Sequence, residues 1–281
     1  MKANLFCALF FALSLFAESS YWDASLVRSY VHSSELQRRW AVSFLAPYLK
    51  TLHGDERILD IGCGDGKISA DLSRFVPEGS VLGIDPSSAM IGWAERQFHS
   101  AEYPNLAFAE GSFLHPHETG PFDWIVSFCA LQHCPDIPAA LAKTRSLLKP
   151  GGKLLILVPA LNNPAWNLAR AAVQKKPRWQ VYWQNIPPRK FLSALSYEEI
   201  LSPANFAFFS VRAVETRDPF VDREELLVWL EGTFTPAVPL AERRAFYEEW
   251  IEEYLCLDSE AMRPDGVIYA KMGVIWIEAL R

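Results

Sequence analysis

The chain has 281 residues, 50% of them hydrophobic, which is enough to bury one large core or a core with an inserted cap. Its formal net charge of −6 argues against general nucleic-acid binding. No internal repeat, low-complexity run or Pro/Ser-rich linker divides it, so we expect a single domain over residues 18–281.

The first seventeen residues resemble a secretory signal peptide. One lysine precedes Leu5–Ala17, a stretch of thirteen residues without a charge, and Ala17 lies at a plausible cleavage site. This stretch is shorter than the ~20 residues that a membrane-spanning helix needs, so we expect no stable membrane span. An N-terminal anchor and a start codon assigned too far upstream remain alternatives to a cleaved leader.

Apolar runs and helical spacing alternate through the first 160 residues. The segment Tyr21–Leu52 has helical spacing, with its apolar positions on one face. Strands are predicted at Ile58–Ile61, Val81–Ile84, Leu106–Ala109, Trp124–Phe128 and Leu154–Val158. The helices between them are predicted at Lys67–Phe75, Ser88–Phe98 and Ala139–Leu148. Such alternation predicts a parallel sheet covered on both faces.

A glycine-rich turn follows the first strand and precedes the first intervening helix. Its glycines, Gly62, Gly64 and Gly66, are spaced G-x-G-x-G, and Asp85 ends the next strand nineteen residues later. An acidic side chain at that distance suits the two hydroxyls of a ribose. The dinucleotide pattern is G-x-G-x-x-G, whereas here Asp65 occupies the turn and would repel a phosphate. The spacing therefore favours an uncharged adenosine with an amino-acid tail.

The alternation of strand and helix is interrupted after the fifth strand. Pro150–Gly152 is the predicted turn into that strand. Asn163–Val173 and part of Trp179–Leu195 have helical character, and we interpret residues 160–196 as a cap over the strand ends.

Two further helices and two further strands are expected in the C-terminal third. Asp222–Glu225 forms a capping-box pattern that predicts a helix start, and Gly232 is its predicted end. A second amphipathic helix is predicted at Leu240–Leu257. Strands near Phe208–Glu215 and Val267–Ile277 complete the sheet.

Charge is unevenly distributed along the chain. Residues 137–197 contain no Asp or Glu but ten Lys and Arg, whereas residues 198–265 are markedly acidic. A basic stretch of this kind is either a solvated face or an anion site. For Lys143–Lys153 we favour a solvated face, and for Arg170–Lys190 both interpretations remain open.

The glycine pattern, preceded by Asp60 and followed by Asp85, resembles that of class I S-adenosylmethionine-dependent methyltransferases. The resemblance implies an α/β, Rossmann-like methyltransferase fold. This fold is a seven-stranded, mostly parallel sheet with helices on both faces, here with a helical cap. It also implies S-adenosylmethionine as cofactor, which suggests the cytoplasm while the leader suggests export.

Cofactor contacts are implied along the strand ends and in the N-terminal helix. The helix containing Tyr30 and Gln37 resembles one that closes the cofactor pocket in small-molecule methyltransferases. Ser112 stands where the family usually has Asp, and Phe113 follows it. The complete implied set is Tyr30, Gln37, Asp60, Gly62, Cys63, Gly64, Gly66, Asp85, Met90, Ser112, Phe113 and Phe128.

The resemblance also implies residues that contact the methyl acceptor, and they lie after the fourth strand and in the cap. Gln132 and His133 are the candidate catalytic residues, and no Asn/Asp-Pro-Pro-Tyr motif of amide or base N-methylation follows that strand. The strongest subgroup resemblance is to trans-aconitate methyltransferases, carried by Ala130–Gln132, Pro177–Trp179, Trp229–Thr233 and Pro264–Gly266. That subgroup usually has Trp at the position of His133. Candidate substrate residues are Arg178, Trp179, Arg170 and Arg189; no metal ligand set is expected.

These features predict methyl-ester formation on a small carboxylic acid, with a small anionic molecule as partner. One alternative is methylation of a hydroxyl or amine, with His133 as general base. Another is methylation of an acyl group on an acidic carrier protein, and a third is a non-catalytic binding protein that keeps the fold.

Overall fold

The computed structural model describes residues 24–117, 120–160, 164–183, 192–234 and 237–281. The leader-like segment, Arg189 and part of the expected cap lie outside the described residues, so the leader stays a prediction. Within the described ranges, no helix combines the length and the apolar character needed to cross a membrane.

Seven strands form one sheet in the order β3-β2-β1-β4-β5-β7-β6. Neighbours among β1 to β5 pair in parallel, whereas β7 pairs antiparallel with both β5 and β6. The strands are β1 Arg57–Ile61, β2 Ser80–Asp85, β3 Leu106–Glu110, β4 Phe122–Phe128, β5 Leu148–Ala160, β6 Phe208–Phe220 and β7 Ile268–Leu280. The predicted mostly parallel, seven-stranded sheet is confirmed.

Helices cover the sheet and extend beyond its strand ends. The N-terminal pair is α1 Ala24–Ser33 and α2 Glu35–Leu49, followed by α3 Lys67–Ser73, α4 Ser88–Gln97 and α5 Ile137–Leu147. The remaining described helices are α6 Pro164–Gln174, α7 Pro177–Gln180, α8 Ala194–Leu201, α9 Arg223–Thr233 and α10 Leu240–Leu257. Single 3-10 turns occur at Leu131–His133 and Ser202–Ala204.

The interior strand β5 explains why the sheet is covered on both faces. Its residues Leu154–Val158 are all 0% exposed. Leu155 and Leu157 belong to one hydrophobic cluster, and Leu154, Ile156 and Val158 belong to the other. Because successive side chains of a strand point to opposite faces, a continuous apolar run requires a core on each side.

Two expected boundaries are wrong, for identifiable reasons. Pro150–Gly152 lies within β5 rather than before it, because Gly151 N–H donates to the carbonyl of Arg281, 2.8 Å away. Gly232 does not end α9, which continues to Thr233. A Cβ at Gly232 would lie 2.1 Å from Ser33 Oγ and 2.5 Å from the Ser29 carbonyl, so this glycine permits close contact between α9 and α1.

The helices α6 and α7 fall within the expected cap and pack on α10. The rings of Trp166 and Trp250 are 4.7 Å apart, and Trp250 Nε1 donates to the Trp166 carbonyl. Lys176 pairs with Glu249 at 2.9 Å, and Arg178 pairs with Glu242 at 3.3 Å. Part of the basic stretch therefore meets the acidic stretch of the same chain.

Candidate active site

The candidate site lies where the carboxyl ends of β1, β2 and β4 meet. The strand β1 pairs with β2 on one side and with β4 on the other, so the strand order reverses at β1. Open α/β sheets bind ligands in the crevice that such a reversal creates. The turn after β1, the end of β2 at Asp85 and the end of β4 at Phe128 all border this crevice.

The glycines of the turn are required by its backbone and by its neighbours. Gly62 and Gly66 have φ values of 80° and 82°, in the left-handed region. A Cβ at Gly62 would lie 2.2 Å from the Cβ of Ala130, which follows β4. A Cβ at Gly66 would lie 2.7 Å from the ring of Phe108. The turn thus stays close to β4, and α3 begins directly after it.

Two buried carboxyl groups border the turn. Asp60 accepts a 2.6 Å hydrogen bond from Ser69 Oγ, and its burial raises its pKa to about 7. Asp85 accepts N–H bonds from Gly64 at 3.0 Å and Ser87 at 2.9 Å, through separate oxygens. Burial raises the pKa of Asp85 to about 6 in spite of these donors. Each Asp85 oxygen keeps a lone pair for a further hydrogen bond.

The N-terminal helices cover the turn. The ring of Tyr30 lies 3.3 Å from the position that a Cβ of Gly64 would occupy. Gln37 is 5% exposed; its Nε2 donates to Thr233 Oγ1 at 3.3 Å, and its Oε1 has no hydrogen-bond partner. A buried amide oxygen without a partner is costly, so this atom is suited to accept from a ligand.

A polar cleft between these helices and the turn contains six of the expected cofactor residues. These six are Tyr30, Gln37, Asp60, Gly62, Cys63 and Phe128. Sequence analysis missed Ser34, Arg38, Lys67 and Ile68 as lining residues and treated Asp65 only as a charge in the turn. Asp65 could have indicated Lys67 in the sequence, because a carboxylate buried in a tight turn needs a partner and Lys67 is the nearest cation along the chain.

Three expected adenine contacts lie outside this cleft. Met90 and Phe113 are 2% and 5% exposed, and Phe113 belongs to the core cluster that includes Ile84. Ser112 Oγ accepts from the backbone N–H of His115 at 3.3 Å. Their contacts with an adenine ring stay predictions.

The residues after β4 form a short 3-10 turn. Cys129 has a φ of 56°, unusual for a residue other than glycine, and begins this turn. The Nε2 of Gln132 donates to the Cys129 carbonyl at 2.5 Å, while its Oε1 is buried without a partner. His133 is exposed at the end of the turn. The structure thus places Gln132 and His133 beside the carboxyl end of β4, and their catalytic role stays a prediction.

The expected substrate residues occupy different environments in the cap. Trp179 is fully buried against the ring of Phe246. The guanidinium of Arg178 lies over Trp179, 4.2 Å from its ring centroid, and pairs with Glu242. Arg170 is half-buried on α6, with its guanidinium 5.8 Å from the centroid of Trp250. Of the three described residues, Arg178 and Trp179 are in contact, and Arg189 lies outside the described residues.

Comparisons with known proteins agree with this fold. Residues 58–152 match a family model described as a methyltransferase domain. Trans-aconitate 2-methyltransferase of Deinococcus radiodurans is 31% identical over 186 residues, covering 63% of this chain and 68% of that protein. The protein of that name in Yersinia pseudotuberculosis is 27% identical, covering 87% of this chain and 92% of its own.

Among solved structures, the YcgJ protein of Bacillus subtilis superposes with a TM-score of 0.59 at 17% identity. The match covers 85% of this chain and 98% of that one, and it shows a shared fold. The chain therefore belongs to the class I S-adenosylmethionine-dependent methyltransferases and is related to the trans-aconitate subgroup. Its cofactor is S-adenosylmethionine.

The residues of the cleft fit this cofactor. Asp60 and Asp65 line the cleft, Asp85 lies at the neighbouring end of β2, and Gln37 offers an unpartnered amide oxygen. Such a lining suits the ribose hydroxyls, the ammonium group and the sulfonium of S-adenosylmethionine. Asp85 would hold the ribose, and the turn from Gly62 to Gly66 would let the backbone approach the amino-acid tail.

Proposed function

We propose that this methyltransferase forms a methyl ester on a small carboxylic acid. The observation that carries the proposal is the similarity to two proteins named trans-aconitate 2-methyltransferase, one of them over 87% of this chain. It is supported by the subgroup-like segments Pro177–Trp179 and Trp229–Thr233, which lie in the cap and in α9. The identity of the acid is left open, since His133 stands where the subgroup usually has Trp.

Methyl transfer to a carboxylate requires little from the protein beyond alignment of the two reactants. The bound cofactor supplies an already activated methyl group. A carboxylic acid with a pKa near ~4 is ionised at neutral pH, so no general base is required. The chain's own residues must hold the acceptor oxygen in line and exclude water, and alignment of this kind can contribute roughly 7–11 kcal/mol.

The turn after β4 is suited to hold the acceptor oxygen. Because Nε2 of Gln132 already donates to Cys129, we assign Gln132 to fixing the turn and His133 to donating a hydrogen bond to the acceptor. His133 is exposed at the end of the turn, so it is accessible to an acceptor bound beside the end of β4. In this assignment His133→Gln, which keeps a donor, retains most of the activity, whereas His133→Ala loses it.

Remote carboxylates of the acid need a cationic clamp, and the cap offers two described arginines. Arg178 lies over the ring of Trp179 and pairs with Glu242 and Glu249, and Arg170 is half-buried with its guanidinium near Trp250. A guanidinium can pair bidentately with a carboxylate of the acid. Arg178→Ala should raise KM for a di- or tricarboxylate by more than ~10-fold, equivalent to ~1.4 kcal/mol. An unchanged KM would remove Arg178 as the clamp, and Arg170→Ala would then be measured in the same way.

The decisive experiment is methyl transfer from labelled cofactor to matched acceptors. The panel contains mono-, di- and tricarboxylic acids beside alcohols and amines of the same carbon skeleton. A methyl ester releases its label as methanol in mild alkali, whereas a methyl ether or methylamine does not. Alkali-labile product from the acids alone supports the proposal, and alkali-stable product from the alcohols or amines contradicts it.

A second candidate is methylation of a hydroxyl or amine with His133 as general base, favoured by the exposure of His133 beside the strand end. An acidic limb in the pH–rate profile that His133→Gln abolishes would support it. An acidic carrier protein is less favoured, because Lys176 and Arg178 of the basic stretch pair with acidic residues of α10.

A further inference from the structure

Three side chains join the N-terminal helices to the cofactor turn, and we call them the latch: Ser34, Asp65 and Lys67. Lys67 Nζ donates to Ser34 Oγ at 2.7 Å, and Ser34 Oγ donates to Asp65 Oδ2 at 2.7 Å. Lys67 Nζ also pairs with Asp65 Oδ2 at 3.0 Å. The three groups form a closed ring, and Ser34 Oγ also lies 3.3 Å from the carbonyl oxygen of Val31.

The latch is shielded from water. Ser34 is 3% exposed, and the side chains of Asp65 and Lys67 are 6% and 26% exposed. Charge-assisted hydrogen bonds are stronger than neutral ones, and removing one partner leaves a buried charge uncompensated. The latch therefore differs from the surface ion pairs elsewhere on the chain, which contribute little.

Lys67 also stabilises the end of α1. Its Nζ donates to the carbonyl of Val31 at 2.7 Å. Val31 lies in the last turn of α1, where carbonyls lack helical partners and where a cation is favourable to the helix dipole. The contact fixes the residue next to Tyr30, whose ring lies over Gly64.

We propose that Lys67 is a positioning residue that fastens the N-terminal helices over the cofactor turn. Release of S-adenosylmethionine or its demethylated product then requires the latch to open. Lys67 acts through the helices, so loss of Ser34 should have the same effect as loss of Lys67. The link between α2 and α3 made by Arg38 and Asp71 is separate and remains intact.

The test measures hydrogen exchange in the ligand-free protein and the rate of ligand release, and neither depends on turnover. The variants are Lys67→Met, Ser34→Ala and the conservative Lys67→Arg. The matched control is Lys149→Met, which removes the Lys149–Asp123 pair (2.8 Å) between the amino-terminal ends of β5 and β4. Hydrogen exchange of the α1 amides is followed without ligand, and dissociation of S-adenosylhomocysteine is followed by stopped flow.

We expect Lys67→Met and Ser34→Ala each to raise the dissociation rate by about tenfold or more and to speed exchange in α1. Lys67→Arg should restore most of the slow release, and Lys149→Met should change neither. The proposal is overturned if Ser34→Ala releases the ligand at the wild-type rate. In that case an effect of Lys67→Met alone would mean direct contact of Lys67 with the ligand. If Lys67→Met does not fold, Ser34→Ala decides the question.

Discussion

Asp85 links the electrostatics of the site most directly to cofactor binding. It is 8% exposed, and burial raises its pKa to about 6. Ribose hydroxyls donate to a carboxylate, and a protonated carboxyl group loses one of its acceptor positions. Binding of the cofactor should therefore favour the ionised form and release protons near this pKa.

We predict that the Kd for S-adenosylmethionine rises as the pH falls below 6, and that the increase approaches about tenfold per pH unit. Calorimetric titrations between pH 5 and 8 measure this dependence. Asp85→Asn should bind more weakly at pH 8 and show a flatter profile. A wild-type Kd that stays constant down to pH 5 would contradict the assignment of the ribose contact to Asp85.

At the residue scale, sequence analysis could place the side chains that a strand end or a tight turn fixes. Gly62, Asp60 and Asp85 belong to such positions, and their spacing alone limits the ligand. The latch could not be found this way, because Ser34 is thirty-one residues from Asp65 and meets it only through helix docking. The orientation of Gln132 depends on the positive φ of Cys129, which no sequence pattern indicates.

At the scale of elements, the contact between α1 and α9 shows how packing overrides local propensity. Gly232 was expected to end α9, which runs one residue further to Thr233. Ser29 and Ser33 of α1 leave no room for a side chain at this position, so the glycine serves helix packing. The strand β5 is longer than its apolar core for a similar reason, since β7 and the C-terminal residue Arg281 pair with its flanking residues. Long-range pairing of this kind is not visible in a local window of sequence.

Two helical glycines should therefore respond oppositely to alanine. Gly232→Ala places a Cβ against Ser33 Oγ and the Ser29 carbonyl, and overpacking of this kind costs about 1–3 kcal/mol of unfolding free energy. Gly92→Ala in α4 meets only the end of Arg96 at 3.3 Å and should stabilise the fold by up to ~1 kcal/mol. Urea unfolding of both variants measures the difference. Equal effects would mean that α1 and α9 are not in close contact.

At the scale of the whole molecule, the cost of burying the acidic site should appear in the pH dependence of stability. The pKa values of Asp60 and Asp85 rise from 3.8 to about 7 and about 6. The folded state thus binds more protons than the unfolded state between these values. The stabilising contribution is fully present below about pH 4 and is lost as the pH rises through 6 and 7.

We predict that the cofactor-free protein becomes less stable between pH 5 and pH 8 through these two groups. Glu56 and Glu249, whose pKa values are lowered, lose their contributions only at more acidic pH. Urea midpoints at the two pH values measure the change, and Asp60→Asn should reduce it. A urea midpoint that is higher at pH 8 than at pH 5, by the same amount in the wild type and in Asp60→Asn, would contradict this account.

The alternation of strands and helices through β5 could be predicted from sequence because each of these strands contains an apolar run bounded by a turn. The separation of basic and acidic stretches is visible in the sequence, but the role of the basic stretch is not. The partners of Lys176 and Arg178 are more than sixty residues away on α10. The expected anion site competes with these intramolecular pairs, so the substrate residues remain proposals, whereas six of the expected cofactor residues line one cleft.

The central claim is that the cofactor binds in the cleft between the N-terminal helices and the turn after β1, with Asp85 as its ribose partner. Calorimetric titration of S-adenosylmethionine into the wild-type protein and into Asp85→Ala tests it most directly. We predict one site per chain in the wild type and a Kd at least ~10-fold weaker in the variant, equivalent to ~1.4 kcal/mol. Equal affinity in the two proteins would contradict the account, as would the absence of binding to the wild type.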